Sequence, residues 1–131
     1  MIKNKIKILI LIVLSLSILT IANSTAPVWN VKSGQDNLAC QGKIAINGSK
    51  ADLTGFLLGA FGPGNYPDDC RGVTNLDKSG KYFFWVQSGM SGNKISLKLY
   101  DPKLDKVYDL ERSFEFEANS NQINFDLNLI R

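Results

Sequence analysis

The sequence contains no histidine, and this absence narrows the chemistry that the protein can perform. Histidine is the commonest general base of enzymes and the usual partner in catalytic triads. It is also the most frequent protein ligand for transition metals, and two cysteines alone do not complete a zinc site. Walker-type phosphate loops, GxGxxG turns and nucleophile elbows are missing as well. We therefore predict a protein that is not an enzyme and that uses neither a metal nor a cofactor.

Carboxylates leave two chemical alternatives open. Asp68 and Asp69 could form the acid pair of a glycoside hydrolase, although adjacent aspartates are more typical of a solvated turn. Asp101, Asp105 and Asp109 offer the oxygen ligands that Ca²⁺ prefers, but the central glycine and closing glutamate of a calcium loop are missing. Turn capping is the favoured interpretation of this second group.

A clustered excess of positive charge is also missing. The chain has 15 Lys and Arg against 12 Asp and Glu, and three of the lysines, Lys3, Lys5 and Lys7, precede a long apolar run. Without these three, basic and acidic residues balance at 12 each and are interspersed. Nucleic-acid binding relies on concentrated Lys and Arg that neutralise phosphates. The sequence therefore predicts no nucleic-acid partner and no basic patch for a membrane surface.

The N-terminal segment is typical of an export signal. The three lysines are followed by an apolar run at residues 8–21 and by small residues that permit cleavage after Ala22. A membrane-spanning helix needs roughly 20 apolar residues, more than this run provides, and a retained anchor is the less favoured alternative. We predict that residues 1–22 are a cleaved signal peptide and that residues 23–131 form one secreted domain, extracellular or periplasmic.

The two cysteines, Cys40 and Cys70, both lie in the predicted mature domain. Export to an oxidising compartment favours a disulfide between them. Such a bridge would close a loop of about 31 residues and stabilise the domain by roughly 3–4 kcal/mol. Two unpaired thiols are the alternative.

Apolar residues in the mature domain recur with a period of two, which is typical of strands with one buried and one wet face. The alternating segments are residues 38–46, 94–99, 113–117 and 123–129. Residues 56–61 and 82–86 are apolar at both parities, which predicts central strands covered on both sides.

Turn signals separate these strands. Asn47-Gly48 predicts a tight hairpin, and further Ser-Gly and Asp-Pro pairs punctuate the rest of the chain. No segment of the mature domain has the length and spacing of an amphipathic helix. We predict an all-β fold, a single immunoglobulin-like β-sandwich of seven or eight strands, with a closed barrel as the alternative.

The loop before Cys70 is the first candidate binding element. It carries Tyr66, Asp68 and Asp69 and is followed by Arg71. Loops held by a rigid scaffold are where binding residues concentrate, so Arg71 could clamp an acidic or carbonyl group of a ligand. Internal pairing of Arg71 with Asp68 or Asp69 is the favoured alternative.

The aromatic strand at residues 82–86 is the second candidate. Phe83 and Trp85 share one face, and Tyr82 and Phe84 share the other. On an open sheet face, Trp85 would form a platform on which sugar rings stack. A strand covered on both faces by the other sheet and by loops is the favoured alternative.

The order of short motifs along the domain resembles that of bacterial secreted immunoglobulin-like β-sandwich modules. The motifs that carry the resemblance are Trp29, Asn47-Gly48, Gly59-Ala60-Phe61, Cys70-Arg71-Gly72-Val73, Lys98-Leu99-Tyr100-Asp101, Val107-Tyr108 and Phe114-Glu115-Phe116-Glu117, together with the aromatic strand. The resemblance implies a sandwich fold and an extracellular setting, and no particular activity.

These observations predict a secreted, non-enzymatic binding module that recognises a glycan or another extracellular protein. The predicted contact residues are Tyr66, Asp68, Asp69, Arg71 and Trp85. The alternative is a structural subunit of an extracellular or cell-surface assembly, in which an exposed strand edge pairs with a neighbour. A hydrolase that uses carboxylates ranks last.

Overall fold

The computed structural model describes residues 26–34, 36–87, 90–117 and 123–131. The predicted signal peptide lies outside these ranges. The described residues form strands, turns and loops, and within them no helix is long and apolar enough to cross a bilayer.

The described residues contain nine β elements. In chain order they are β1 (Asn37–Ile46), β2 (Ser49–Lys50), β3 (Leu57–Phe61), β4 (Cys70–Asn75), β5 (Lys81–Gln87), β6 (Lys94–Asp101), β7 (Lys106–Glu115), β8 (Ile123–Asn124) and β9 (Leu127–Leu129).

The strands form two sheets that pack face to face as a sandwich. In the first sheet β1 pairs antiparallel with β2 and β5, and parallel with β8 and β9. The second sheet has the antiparallel order β4-β3-β6-β7. β8 and β9 follow one another along β1 and act as one interrupted strand, so the prediction of an all-β sandwich of seven or eight strands is confirmed.

The core between the sheets is built from the period-two pattern of the sequence. Alternate residues are buried in β5 and in β6 up to Leu99, whereas β3 is buried at both parities from Leu58 to Phe61. The inward side chains of these strands are Leu58, Ala60, Tyr82, Phe84, Val86, Ile95, Leu97 and Leu99. Burial of each large apolar side chain contributes roughly 1.5–3 kcal/mol, which makes this alternation the main source of stability.

A second, smaller cluster covers the outer face of the second sheet. Trp29, from the segment 26–34 that precedes β1, packs there with Phe61, Cys70 and Tyr100. Gly59 makes room for it, because a Cβ at this position would lie 2.8 Å from a carbon of the Trp29 ring. The prediction that residues 56–61 are covered on both sides is confirmed.

The matching prediction for residues 82–86 is wrong. Tyr82, Phe84 and Val86 are buried, but Phe83 and Trp85 are each 50% exposed on the outer face of the first sheet. The two apolar runs differ because the segment 26–34 places Trp29 over β3. No described residue covers the outer face of β5 to the same extent.

The predicted Cys40–Cys70 disulfide is not present, and both residues are free, buried thiols. Cys40 belongs to the main core between the sheets, while Cys70 belongs to the cluster on the outer face of the second sheet. The Cys70 thiol donates instead to the carbonyl oxygen of Gly72 at 3.5 Å. The loop before Cys70 is therefore held by noncovalent contacts rather than by a bridge.

Candidate functional site

The loop 62–69 is organised around the buried carboxylate of Asp69, which is 3% exposed. Arg71 donates from Nε to Asp69 Oδ1 at 2.6 Å, the Gly64 amide donates to Oδ2 at 2.7 Å, and the Lys32 ammonium lies 3.4 Å from Oδ1. The hydrogen bond from Arg71 is the main reason that the pKa of Asp69 is lowered to about 2, although burial of the carboxylate acts to raise it. The hydrogen bond from Gly64 lowers the pKa further. Internal pairing, the favoured interpretation of Arg71, is therefore what the geometry shows.

Two glycines make this arrangement possible. A Cβ on Gly62 would lie 2.5 Å from Asp69 Oδ2 and 2.8 Å from Arg71 Nε. A Cβ on Gly64 would lie 2.7 Å from the same carboxylate oxygen. The Gly-Pro-Gly run is typical of a turn. Here its two glycines also let the backbone approach the ion pair closely.

Asp68 and Asp69 do not form a pair suited to glycoside hydrolysis. Asp68 is exposed, while Asp69 points into its own loop and is paired with Arg71. The general acid of a glycosidase needs a raised pKa, and the pKa of Asp69 is lowered. The turn interpretation of these two residues fits the geometry better.

Tyr66 lies on the outer face of the second sheet and is 44% exposed. Its ring meets the edge of Phe61 at 5.0 Å, and its hydroxyl accepts a hydrogen bond from Trp29 Nε1 at 3.3 Å. The Lys98 ammonium lies 4.6 Å from the ring centroid, a cation–π distance. A shallow groove of about 400 Å³ runs past Tyr66, Lys94 and Lys98. Tyr66 combines a structural role over Trp29 with a partly open ring.

Phe83 and Trp85 form the largest exposed aromatic surface of the described residues, and we call this pair the aromatic patch. Their rings meet edge to face, with centroids 5.8 Å apart and planes at 87°. The alternation of β5 places both on the outer face, because Tyr82 and Phe84 occupy the core. The patch is therefore a consequence of strand geometry and is held by rigid elements on its inner side.

Amide side chains lie on the β1 side of the aromatic patch. Gln41 lies directly opposite Phe83 across the β1–β5 pair, and the small Ala39 lies opposite Trp85. The Gln41 side chain donates to Asn124 Oδ1 at 2.6 Å, which holds both amides on this face. A flat aromatic surface with amides at its margin suits a ligand with apolar faces and hydroxyl rims.

A groove of about 320 Å³ lies between the aromatic patch and β4. Val31, Thr74 and Gln87 contribute to its walls. The backbones of β4 and β5 approach closely there, since a Cβ on Gly72 would lie 2.4 Å from the carbonyl oxygen of Trp85. Trp85 is thus positioned by both sheets.

The structure does not bring the five predicted contact residues together. Trp85 lines the groove beside β4, while Tyr66 lines a separate groove on the second sheet. Asp69 at the end of the loop is paired with Arg71 on β4. Phe83 was visible in the sequence as the partner of Trp85 on one face, and its exposure makes it the residue to add to the site.

Asp101, the last residue of β6, caps the turn that follows it. Asp101 is buried, accepts from the amides of Lys103 and Leu104, and pairs with Arg131. Asp105 accepts a hydrogen bond from the Tyr100 hydroxyl. Among the residues that the structure describes, no cluster of three or more carboxylates or cysteines is arranged to hold a metal ion.

Comparisons with known proteins assign the chain to no family. No family model matches it, and no curated protein does. One solved structure that the comparison matches is a 9R-lipoxygenase from Cyanothece PCC8801, with a TM-score of 0.49 and 10% sequence identity. The similarity covers 82% of this chain but only 19% of the lipoxygenase. At this level of similarity it supports no functional assignment, and the resemblance to secreted sandwich modules stays a prediction.

Proposed function

We propose that this protein is a secreted, non-enzymatic binding module that recognises a glycan through the aromatic patch on the outer face of its first sheet. The observation that carries the proposal is the half-exposure of two large aromatic side chains side by side on a rigid strand. Soluble proteins seldom leave such rings open without use, because their burial elsewhere would stabilise the fold.

The chemistry of the patch favours a sugar ligand. A pyranose ring has an apolar face that stacks on an indole and a polar rim that needs hydrogen-bond partners. Trp85 supplies the stacking surface, and Gln41, Gln87 and Asn124 supply amides on the same sheet. The perpendicular packing of Phe83 against Trp85 fixes the indole orientation and adds an edge against which a second sugar can rest.

Export is part of the same proposal. Residues 1–22 have the composition of a signal peptide, and a secreted glycan binder meets its ligand outside the cell. A protein interface on the same face is the second candidate, because Val31 extends the apolar surface beside Trp85.

A glycan array with the exported, purified protein tests the proposal. We expect reproducible binding that Trp85→Ala abolishes and Phe83→Ala weakens at least tenfold, with unchanged cooperative unfolding. Tyr66→Ala is the matched control, since it removes an exposed aromatic ring of the loop 62–69, away from the aromatic patch. Binding lost in Tyr66→Ala but kept in Trp85→Ala would move the site to the loop. If the array shows no binding and light scattering detects oligomers that the Trp85→Ala variant no longer forms, the protein interface would be favoured.

A further inference from the structure

Two lysines lie directly opposite each other beside the aromatic patch. Lys43 on β1 pairs in register with Lys81 on β5, and both side chains are exposed. They occupy the same face as Phe83 and Trp85, one step further along the strand pair. From Trp85 to Lys81 is four residues of extended strand, which spans about 13 Å. The face thus passes from aromatic to basic over a length suited to several sugar units.

This lysine pair is unfavourable for folding. Like charges directly opposite in an antiparallel pair repel each other and destabilise the sheet. Neither ammonium forms an ion pair with any described residue. Asp77 and Asp126 lie nearby and accept hydrogen bonds from Ser79 and from the Lys43 amide, but among the described residues neither forms an ion pair with Lys43 or Lys81. The two positive charges are therefore left available to a ligand.

A groove connects this pair to the aromatic patch. A cavity of about 370 Å³ is lined by Lys43, Lys81 and the exposed Lys50, with Asp126 as its only described acidic residue. The adjoining cavity, of about 430 Å³, is lined by the same Lys43 and Lys81 and ends at Phe83. Three lysines against Asp126 in the first and two lysines against Asp77 in the second leave both cavities with a positive balance.

We propose that the ligand is an acidic polysaccharide, whose sugar rings stack on Trp85 and whose anionic groups bind between Lys43 and Lys81. This inference rests on the glycan-binding function proposed above and adds the charge of the ligand. An anionic group placed between the two ammonium groups removes their mutual repulsion and forms charge-assisted hydrogen bonds with both. Because the pair is exposed to solvent, the gain in affinity is sensitive to salt.

The test compares two forms of one polymer. Polygalacturonate carries a carboxylate on every sugar, and its fully methyl-esterified form has the same backbone without the charge. We expect the exported protein to bind polygalacturonate at least tenfold more tightly at low salt, and this preference to shrink at about 0.15 M salt, where screening acts over ~8 Å. Dextran sulfate against dextran shows whether sulfate groups replace carboxylates.

Variants separate the lysine pair from net charge. Lys43→Gln with Lys81→Gln should reduce binding to polygalacturonate to the level of the methyl ester and leave binding to the ester unchanged. The matched control is Lys103→Gln with Lys106→Gln, which removes the same charge from exposed positions in the turn after β6 and at the start of β7. Equal losses in both double variants would overturn the proposal, because net charge alone would then explain the preference.

The remaining outcomes test the acidic ligand separately from the glycan-binding function. Equal affinity for the charged and the esterified polymer, with binding to both lost in Trp85→Ala, would overturn the proposal of an acidic ligand. It would still support the proposal of a glycan-binding module. Absence of binding to every polymer and to the array, by a protein that unfolds cooperatively, would overturn both. A preference for polygalacturonate that only the Lys43 and Lys81 variants remove supports both.

Discussion

Arg71, on β4, and Asp69, at the end of the loop 62–69, form a hydrogen-bonded ion pair at 2.6 Å. Asp69 is the centre of that loop, because its other oxygen accepts the Gly64 amide. Asp69 and Arg71 look like ligand-binding residues in the sequence, but their pairing gives them a structural role. It also explains how the loop keeps its shape without the disulfide that the two cysteines predict.

The first prediction concerns this pair. Arg71→Gln leaves the buried Asp69 carboxylate short of its main partner, and we expect the free energy of unfolding to fall by about 2–4 kcal/mol. Urea titration followed by fluorescence measures the loss. Asp68→Asn, at the exposed neighbouring position, should change the stability by less than about 0.5 kcal/mol. Equal effects of the two changes would contradict the role assigned to the pair.

The second prediction concerns pH. The pKa of Asp69 is lowered from 3.8 to about 2 in the folded protein, chiefly by the hydrogen bond from Arg71. A lowered pKa contributes stability that is complete above the ordinary value and is lost as the pH falls towards 2. The contribution is about 2 kcal/mol.

Denaturant titrations of the wild type and of Asp69→Asn between pH 6 and pH 2 would check this. Asp52 and Asp77 also have lowered pKa values, through hydrogen bonds from Thr54 and Ser79, but they are present in both proteins and cancel in the difference. The stability gap between the two proteins should narrow below about pH 4. A gap that stays constant down to pH 2 would rule out the ionised Asp69 as its source.

The third prediction concerns the glycine beneath Trp29. Gly59→Ala places a methyl group 2.8 Å from the Trp29 ring and 2.7 Å from that of Phe61, so one ring must move. We expect a loss of about 1–3 kcal/mol and a red shift of tryptophan emission as Trp29 becomes wetter. In a Trp29→Ala background the cost should shrink, because half of the clash is gone. Additive effects would contradict a direct contact.

The fourth prediction concerns the thiols. Burial raises the pKa of Cys40 to about 12 and also raises that of Cys70, so neither forms the reactive thiolate readily. The native protein should resist alkylation, and the unfolded protein should take up two alkyl groups without prior reduction. Mass spectrometry reads both results. An unfolded protein that is alkylated only after reduction would show that the two cysteines form a disulfide.

The period-two pattern predicted the sandwich because strand alternation is local and survives any arrangement of the sheets. It could not tell residues 56–61 from residues 82–86, since both are apolar at each parity. What separates them is the position of Trp29, a contact made from another part of the chain.

The candidate site was predictable in its aromatic part only. Phe83 and Trp85 share a face in any strand, but Lys43 and Lys81 meet only because β1 and β5 pair in one register. Register across a long connection is fixed by the packing of the whole sheet, which is not visible in either segment alone. The tie between Asp69 and Arg71 was visible as a possibility, because their spacing is local.

The parallel pairing of β1 with the far end of the chain has a consequence for the order of folding. Gln41 and Asn124 are joined across 83 positions, so the first sheet lacks one flank until the last segment arrives. Contacts of such large sequence separation form late and slow the folding of β proteins. If the chain is exported as proposed, this delay leaves it unfolded during translocation and lets the sandwich close on the far side of the membrane.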